Sequence, residues 1–160
     1  MLESVFTINS IQTSEEAQAF KILNEEWIAR IFAIEEADLV ILNNPVEHIV
    51  NRGGDVLIAR EGNSIVGCVA LVPTGAGVFE LSKMSVSPEL RGRGYGRRIL
   101  HAAINRAREL SAKSLFLGSS TKLPNAVHLY ESVGFKHVAI ERIGPMPYVR
   151  ADVFMELELK

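Results

Sequence analysis

Arg91-Gly-Arg-Gly-Tyr-Gly96 is the stretch on which the reading of this chain turns. Its three alternating glycines remove Cβ atoms, so backbone N–H groups can approach a ligand closely. Downstream, Ile99, Leu100, Ala103, Ile104 and Ala107 recur at helical spacing, so the segment opens a helix. A helix N-terminus concentrates unpaired N–H donors and positive dipole, and such a place binds phosphate. Arg91, Arg93, Arg97 and Arg98 crowd this segment of a chain whose net charge is −2, a local excess that favours a polyanion. The Rossmann fingerprint asks for glycine where Arg97 stands, and no acidic residue ends the next strand at Phe116-Leu-Gly118. The Gly-Lys-Ser/Thr of a P-loop is absent. The alternative to phosphate binding is a glycine-rich turn with a basic, solvated rim.

Outward from this loop the pattern is mixed. Upstream, Asp55–Glu61, Ser64–Val72 and Val78–Val86 are strand-like runs, with Gly62-Asn63 and Thr74–Gly77 as turns. Farther upstream, Val5–Asn9 alternates as a short strand, and Thr13 or Ser14 with Glu16 reads as a helix start. Glu15 to about Phe32 then places Phe20, Leu23, Trp27 and Ile31 on one helical face, and a short helix follows over Glu35–Leu42. Downstream, Ser114–Leu117 is an apolar strand. Pro124 suits the first position of a helix that carries Ala126, Leu129 and Val133, with Gly134 at its cap. Phe135–Glu141 and Asp152–Leu159 read as strands, around a proline-rich segment over Ile143–Val149. An antiparallel meander followed by a strand–helix–strand crossover is an α/β arrangement.

Composition bounds the function. The 160 residues fit one domain, 1–160, with 48% hydrophobic and 22% charged residues. Balanced charge argues against nucleic acid as a partner. The longest apolar stretch, Ile65–Val72, is far short of the roughly 20 residues of a membrane helix. The N-terminus, with Glu3, has no basic-then-apolar run, so no leader is expected. The lone Cys68 excludes an internal disulfide and fits a reducing, cytoplasmic setting. No cysteine-nucleophile pattern accompanies it, and His48, His101, His128 and His137 lack metal-ligand spacing, so no metal is expected.

Arg91-Gly-Arg-Gly-Tyr-Gly96 also fits Arg/Gln-x-x-Gly-x-Gly/Ala, and in this it resembles the GNAT acetyltransferase superfamily. Leu81-Ser-Lys-Met-Ser-Val86 looks like that family's fourth strand, and Asn125-Ala-x-x-Leu-Tyr-Glu-x-x-Gly-Phe135 is similar to its second cofactor motif. The two motifs stand in the family's order and cover the central half of the chain. The resemblance implies a mixed, mostly antiparallel sheet of about seven strands with a splayed strand pair, flanked by about four helices. It implies acetyl-CoA as co-substrate. Met84, Ser85 and Val86 would offer backbone groups to the pantetheine arm. The loop Arg91, Gly92, Arg93, Gly94, Tyr95, Gly96 would hold the pyrophosphate through N–H groups. Asn125 would contact the cofactor, and Arg97 or Arg98 would meet the outer phosphate.

The implied reaction is acetylation of a primary amine by direct attack in a ternary complex. It needs a neutral amine, a polarised carbonyl and a protonated leaving thiolate. Tyr130 is the candidate acid, at a position where the family has a tyrosine; its other reading is a core tyrosine beside Ala126 and Val133. Glu80 is the candidate base. Alternation puts Glu80, Ser82 and Met84 on one strand face, and some histone-type relatives carry a glutamate at this spacing. Its other reading is a solvent-facing strand residue. Trp27 is either core or acceptor pocket. Tyr148 and Arg150 precede the last strand, a region that borders the acceptor in the family. Glu25, Glu26, Glu35 and Glu36 offer a negative field to a cationic amine, or a solvated helix face. The acceptor is a small-molecule amine or a peptide amine, and a homodimer is compatible with the sequence. The rival function is a non-catalytic CoA-binding module.

Overall fold

Runs of two-residue alternation become strands, and runs of helical spacing become helices. The structure, a computed structural model, describes residues 5–160; residues 1–4, among them the Glu3 on which the expected lack of a leader rests, lie outside it. In chain order the elements are β1 (Phe6–Ser10), α1 (Ser14–Ile31), α2 (Glu36–Asn43), α3 (Pro45–His48), β2 (Asp55–Glu61), β3 (Ser64–Gly75) and β4 (Val78–Val86). Then follow α4 (Tyr95–Glu109), β5 (Ser114–Ser119), α5 (Pro124–Ser132), β6 (Lys136–His137), α6 (Ile140–Ile143) and β7 (Val153–Glu158). The seven strands form one sheet in the order β1-β2-β3-β4-β5-β7-β6. Only β4 and β5 pair parallel. This is a mixed α/β fold with a mostly antiparallel sheet. Four helices have eight residues or more, and α3 and α6 add one turn each. No described helix is long and apolar enough to cross a membrane.

Two elements differ from expectation. The strand expected over Phe135–Glu141 pairs only at Lys136 and His137 and then coils into α6. This segment is the outer edge of the sheet, where no further strand could satisfy its free side. A helical turn bonds locally instead, Arg142 N–H to the Ala139 carbonyl and Gly144 N–H to that of Ile140. The buried stripe of α1 is Glu16, Phe20, Asn24 and Ile28, rotated from the expected Phe20, Leu23, Trp27 and Ile31. Two polar residues can occupy that stripe because their groups are satisfied. Glu16 completes a capping box with Thr13, and the Asn24 amide donates to the Phe20 carbonyl at 2.9 Å while its oxygen accepts from Trp27 Nε1 at 2.9 Å.

Helices cover both sheet faces. On one, α4 packs Ile99, Leu100, Ala103 and Ala107 against Leu57, Val69 and Leu71. On the other, Phe20 and Ile28 of α1 and Leu42 of α2 pack on Val56, Ile58, Cys68 and Ala70. The approach of α4 depends on Gly67 in β3. A Cβ there would stand 2.6 Å from Ile99 Cδ1 and 2.9 Å from the Ser85 carbonyl oxygen. The side chain can turn away, but the carbonyl of a paired strand cannot. Gly67→Val is therefore expected to destabilise the fold by about 1–3 kcal/mol, read by urea unfolding.

One irregularity shapes the site. Cys68 faces Ser85 and Ala70 faces Ser82, so β4 carries one residue more than β3 in this interval. The bulge centres on Lys83, which has φ +56°. It inverts the alternation. Glu80, Ser82 and Ser85 stay opposite Val72, Ala70 and Cys68, but Met84 packs into the α4-side core. The expectation that Met84 shares a face with Glu80 and Ser82 therefore fails. Beside the bulge the sheet opens, since β5 pairs with β4 only over Val78–Glu80 and the two strands then part.

Candidate active site

The gap between the parted strands is the floor of a cavity of about 610 Å³. β4 from Glu80 to Val86 lines one side, and Leu117–Ser119 of β5 with the start of α5 the other. The start of α4 closes one end; the C-terminal part of α1 and residues 148–151 close the other.

At the α4 end, Gly92 and Gly94 both have φ +82°, with nothing within 4 Å of where a Cβ would stand. Conformation rather than space demands glycine there. Gly94 is the N-cap of α4 and supplies no side-chain cap. Among the described residues no acceptor faces the N–H groups of residues 92–97. This is a run of donors at a helix N-terminus, suited to an anion. Arg91, Gly92, Tyr95 and Gly96 line the cavity, whereas Arg93, Gly94 and Arg97 are exposed outside its lining. The Arg91 guanidinium donates to the Val86 carbonyl and to Glu26, each at 3.2 Å. The Tyr95 ring stacks on Phe6 at 4.4 Å and its hydroxyl bonds Glu61, so only its backbone serves the cavity. Arg98 lies over Phe6 at 4.2 Å and, like Arg97, is not among the residues that line the cavity. Arg93 and Arg97 have no ion-pair partner among the described residues. Met84, Ser85 and Val86 line the stretch where β4 lacks a β5 partner, and Ser85 Oγ is tied to the Leu23 carbonyl at 3.1 Å. Asn125, exposed at the start of α5, stands at the rim.

Deeper in, Tyr130 of α5 is 8% exposed and rests edge-on against Phe135, with ring centroids 5.8 Å apart. Its hydroxyl has no hydrogen-bond partner among the described residues, and burial pushes its pKa up to about 12. Burial also raises the Glu80 carboxyl above its ordinary range, against the pull of Lys83.

The far end is built of charge. The buried Lys83 ammonium donates to Asp38 at 2.6 Å and to the Tyr148 hydroxyl at 3.1 Å. Arg150 grips the same Asp38 at 2.6 and 2.8 Å and reaches Glu35 at 3.3 Å. Burial would raise the Asp38 pKa, but hydrogen bonds from Arg150 and Lys83 hold it down, to about 2. Burial pulls the Lys83 ammonium below its usual range, and Asp38 opposes that. Burial, then the Glu80 and Asp38 charges, push the Tyr148 phenol up. The Arg150 guanidinium also lies 5.8 Å from the rings of both Trp27 and Phe32 and 4.6 Å from Tyr148. Trp27, Tyr148 and Arg150 thus share one end with Glu80, but Arg150 is spent on the protein itself. Of the four glutamates that offered either a negative field or a solvated helix face, Glu26 is paired with Arg30 and Arg91 and Glu35 with Arg150, while Glu25 and Glu36 have no ion-pair partner among the described residues.

Sequence reasoning misses Lys83, Asp38 and Phe32. One signal marks Lys83: it stands between Leu81 and Ser85 on the inward alternation, where an apolar residue is expected. Nothing distinguishes Asp38 from any acid in a first helical turn, because its partners lie 45 and 112 residues away. Cys68 is fully buried, with its thiol pushed up to about 12, and takes no part in the cavity.

Comparison with known proteins agrees with this architecture. Residues 15–135 match the family model described as Acetyltransferase (GNAT) family. An uncharacterized N-acetyltransferase of Schizosaccharomyces pombe is 30% identical over 167 residues, covering 99% of this chain and 98% of that protein. A crystal structure of a GNAT-family acetyltransferase from Staphylococcus aureus superposes with a TM-score of 0.88 at 20% identity, over 98% of this chain and all of the other. A Bacillus subtilis acetyltransferase solved in complex with CoA gives a TM-score of 0.69 at 18% identity, over 99% and 100%.

Proposed function

The chain belongs to the GNAT acetyltransferase family, and on that premise we propose that it moves an acetyl group from acetyl-CoA to a primary amine by direct attack in a ternary complex. The observation that carries this reading is the run of unpaired amides over residues 92–97, set where β4 and β5 part. Those N–H groups suit a pyrophosphate, with the unpaired Arg93 and Arg97 adding charge at the mouth. The free edge of β4 over Met84–Val86 suits the amide-bearing pantetheine arm, and Asn125 its rim. The B. subtilis relative, of the same fold, holds CoA.

Bound acetyl-CoA supplies an activated thioester carbonyl and a thiolate leaving group. The protein's own part is proton management and placement. Tyr130, with a pKa near 12, stays protonated through neutral pH and gives its proton to the departing sulfur. Glu80, whose carboxyl burial raises above its ordinary range, takes the amine's proton directly or through one water. Trp27 and Tyr148 wall the acceptor end, and Arg150 shapes that wall. The acceptor is a small-molecule or peptide amine, and residues 1–160 act as one cytoplasmic domain.

Calorimetric titration with acetyl-CoA, CoA lacking the 3′-phosphate, and ATP tests this. One-site binding of acetyl-CoA with ATP silent is expected. Thiol release is then read with L-amino acids, spermidine and a peptide with a free N-terminus. A folded protein that binds no acetyl-CoA overturns the reading. Binding without thiol release from any amine would leave a CoA-binding module.

A further inference from the structure

The least economical residue of the cavity is Lys83. It sits in the left-handed region at φ +56°, which strains any residue with a Cβ, and its side chain is 2% exposed. A buried ammonium must be paired, and the carboxylate that pairs it is shared with Arg150. A leucine or methionine at this inward position would carry the same strain but would need no partner. Local rules broken together at a cavity wall point to function.

The bonds of Lys83 show what it holds. The ammonium donates to the Tyr148 hydroxyl at 3.1 Å and lies 4.1 Å from that ring's centroid, while Arg150 lies 4.6 Å from the same ring. Tyr148 belongs to the segment after α6 that carries Pro145 and Pro147 and joins no strand. Side chains hold its end in place: Asp38 accepts from Arg150, and Glu35 accepts from the Val149 N–H at 3.2 Å. Strand β4, helix α2 and residues 148–150 thus meet at one carboxylate.

We infer that Lys83 is a positioning residue of the acceptor end: its ammonium fixes the Tyr148 hydroxyl in the cavity wall and, through Asp38, holds residues 148–150 against α2, so that an acceptor amine meets a preformed wall beside Glu80. This rests on the acetyltransferase reading above. Lys83 touches neither reacting group; it acts through Tyr148.

The test compares K83M, K83R, Y148F and the double variant K83M/Y148F. Thiol release is measured with the same amines, acetyl-CoA affinity by calorimetry, and the environment of the chain's three tyrosines by their 13Cζ resonances. K83M is expected to raise KM for the acetylated amine about tenfold, the scale of a hydrogen bond to a charged group. Acetyl-CoA affinity stays within about twofold, and only the Tyr148 resonance moves. Y148F reproduces the KM change, the double variant is no worse than the larger single, and K83R restores part of the loss. Additive effects, an unchanged KM, or acetyl-CoA affinity falling in step would overturn the inference. If K83M does not fold, Y148F with an unmoved KM overturns it. Failure of the acetyltransferase reading looks different, as wild-type protein that binds no acetyl-CoA or releases no thiol. The Tyr148 resonance in K83M still decides the positioning role in that case.

Discussion

Tyr130→Phe is expected to lower turnover about a hundredfold or more while acetyl-CoA affinity changes by less than about twofold, the scale of a lost general acid. The structure makes this substitution unusually clean. The hydroxyl has no partner among the described residues, so its loss leaves none of their buried donors or acceptors unsatisfied. The ring keeps its edge contact with Phe135 and its place in the α4-side core. Urea unfolding should therefore move by no more than about 0.5 kcal/mol. The pH profile adds a second check. With a pKa near 12 the phenol is protonated across the neutral and moderately alkaline range, so the wild-type rate should show no alkaline fall from this group there. The acidic limb should lie above the ordinary carboxyl range, because burial raises Glu80 and a base must be unprotonated to act. Initial rates of thiol release across that range decide the matter. An unchanged rate in the variant removes Tyr130 from the mechanism, and a matching fall in acetyl-CoA affinity would make its role one of packing.

What the sequence made legible follows from how local each signal is. The loop over Arg91–Gly96 and the stretch from Pro124 to Phe135 carry short-range rules, namely glycines where φ is positive, proline at a first helical position and apolar residues at helical spacing, and the structure follows them. Val78–Val86 matches β4 end to end for the same reason. Its interior was misread because a bulge is a fact about register with β3, and one extra residue moves Met84 to the other face. The segment after His137 was misread because an edge strand and a helical turn differ only in whether another strand lies alongside. The candidate residues on the cavity wall, Glu80, Tyr130, Trp27, Tyr148 and Arg150, were all named from sequence. The ion pairs that fix the far end were not, since Asp38 meets its partners across the fold. The arginine cluster shows the limit of counting charge: Arg91 is paired with Glu26, so the local excess is smaller by one charge than the sequence suggests.

Asp38→Ala is expected to destabilise the fold by about 3–5 kcal/mol, because it strands a buried ammonium. Asp38 is wholly buried and accepts from Lys83 Nζ, from both terminal nitrogens of Arg150 and from the Glu35 N–H at 2.9 Å. Arg150 would keep Glu35, at 3.3 Å, but the described residues offer Lys83 no second ion-pair partner. Acid should mimic the substitution. The Asp38 pKa is depressed from its ordinary 3.8 to about 2, so its contribution is complete above the unfolded value and is lost as pH falls from about 4 toward 2. That acid limb should be missing from the alanine variant, which starts without the contribution. Asp38→Leu combined with Lys83→Met should recover a good part of the loss, since removing both charges abolishes the desolvation that made the single change so costly. Urea unfolding of the three proteins at neutral pH, repeated toward acid for the wild type, reads all of this. A cost below about 1 kcal/mol for the single change would put the pair on the scale of an exposed salt bridge, and the far wall of the cavity would then be open to water.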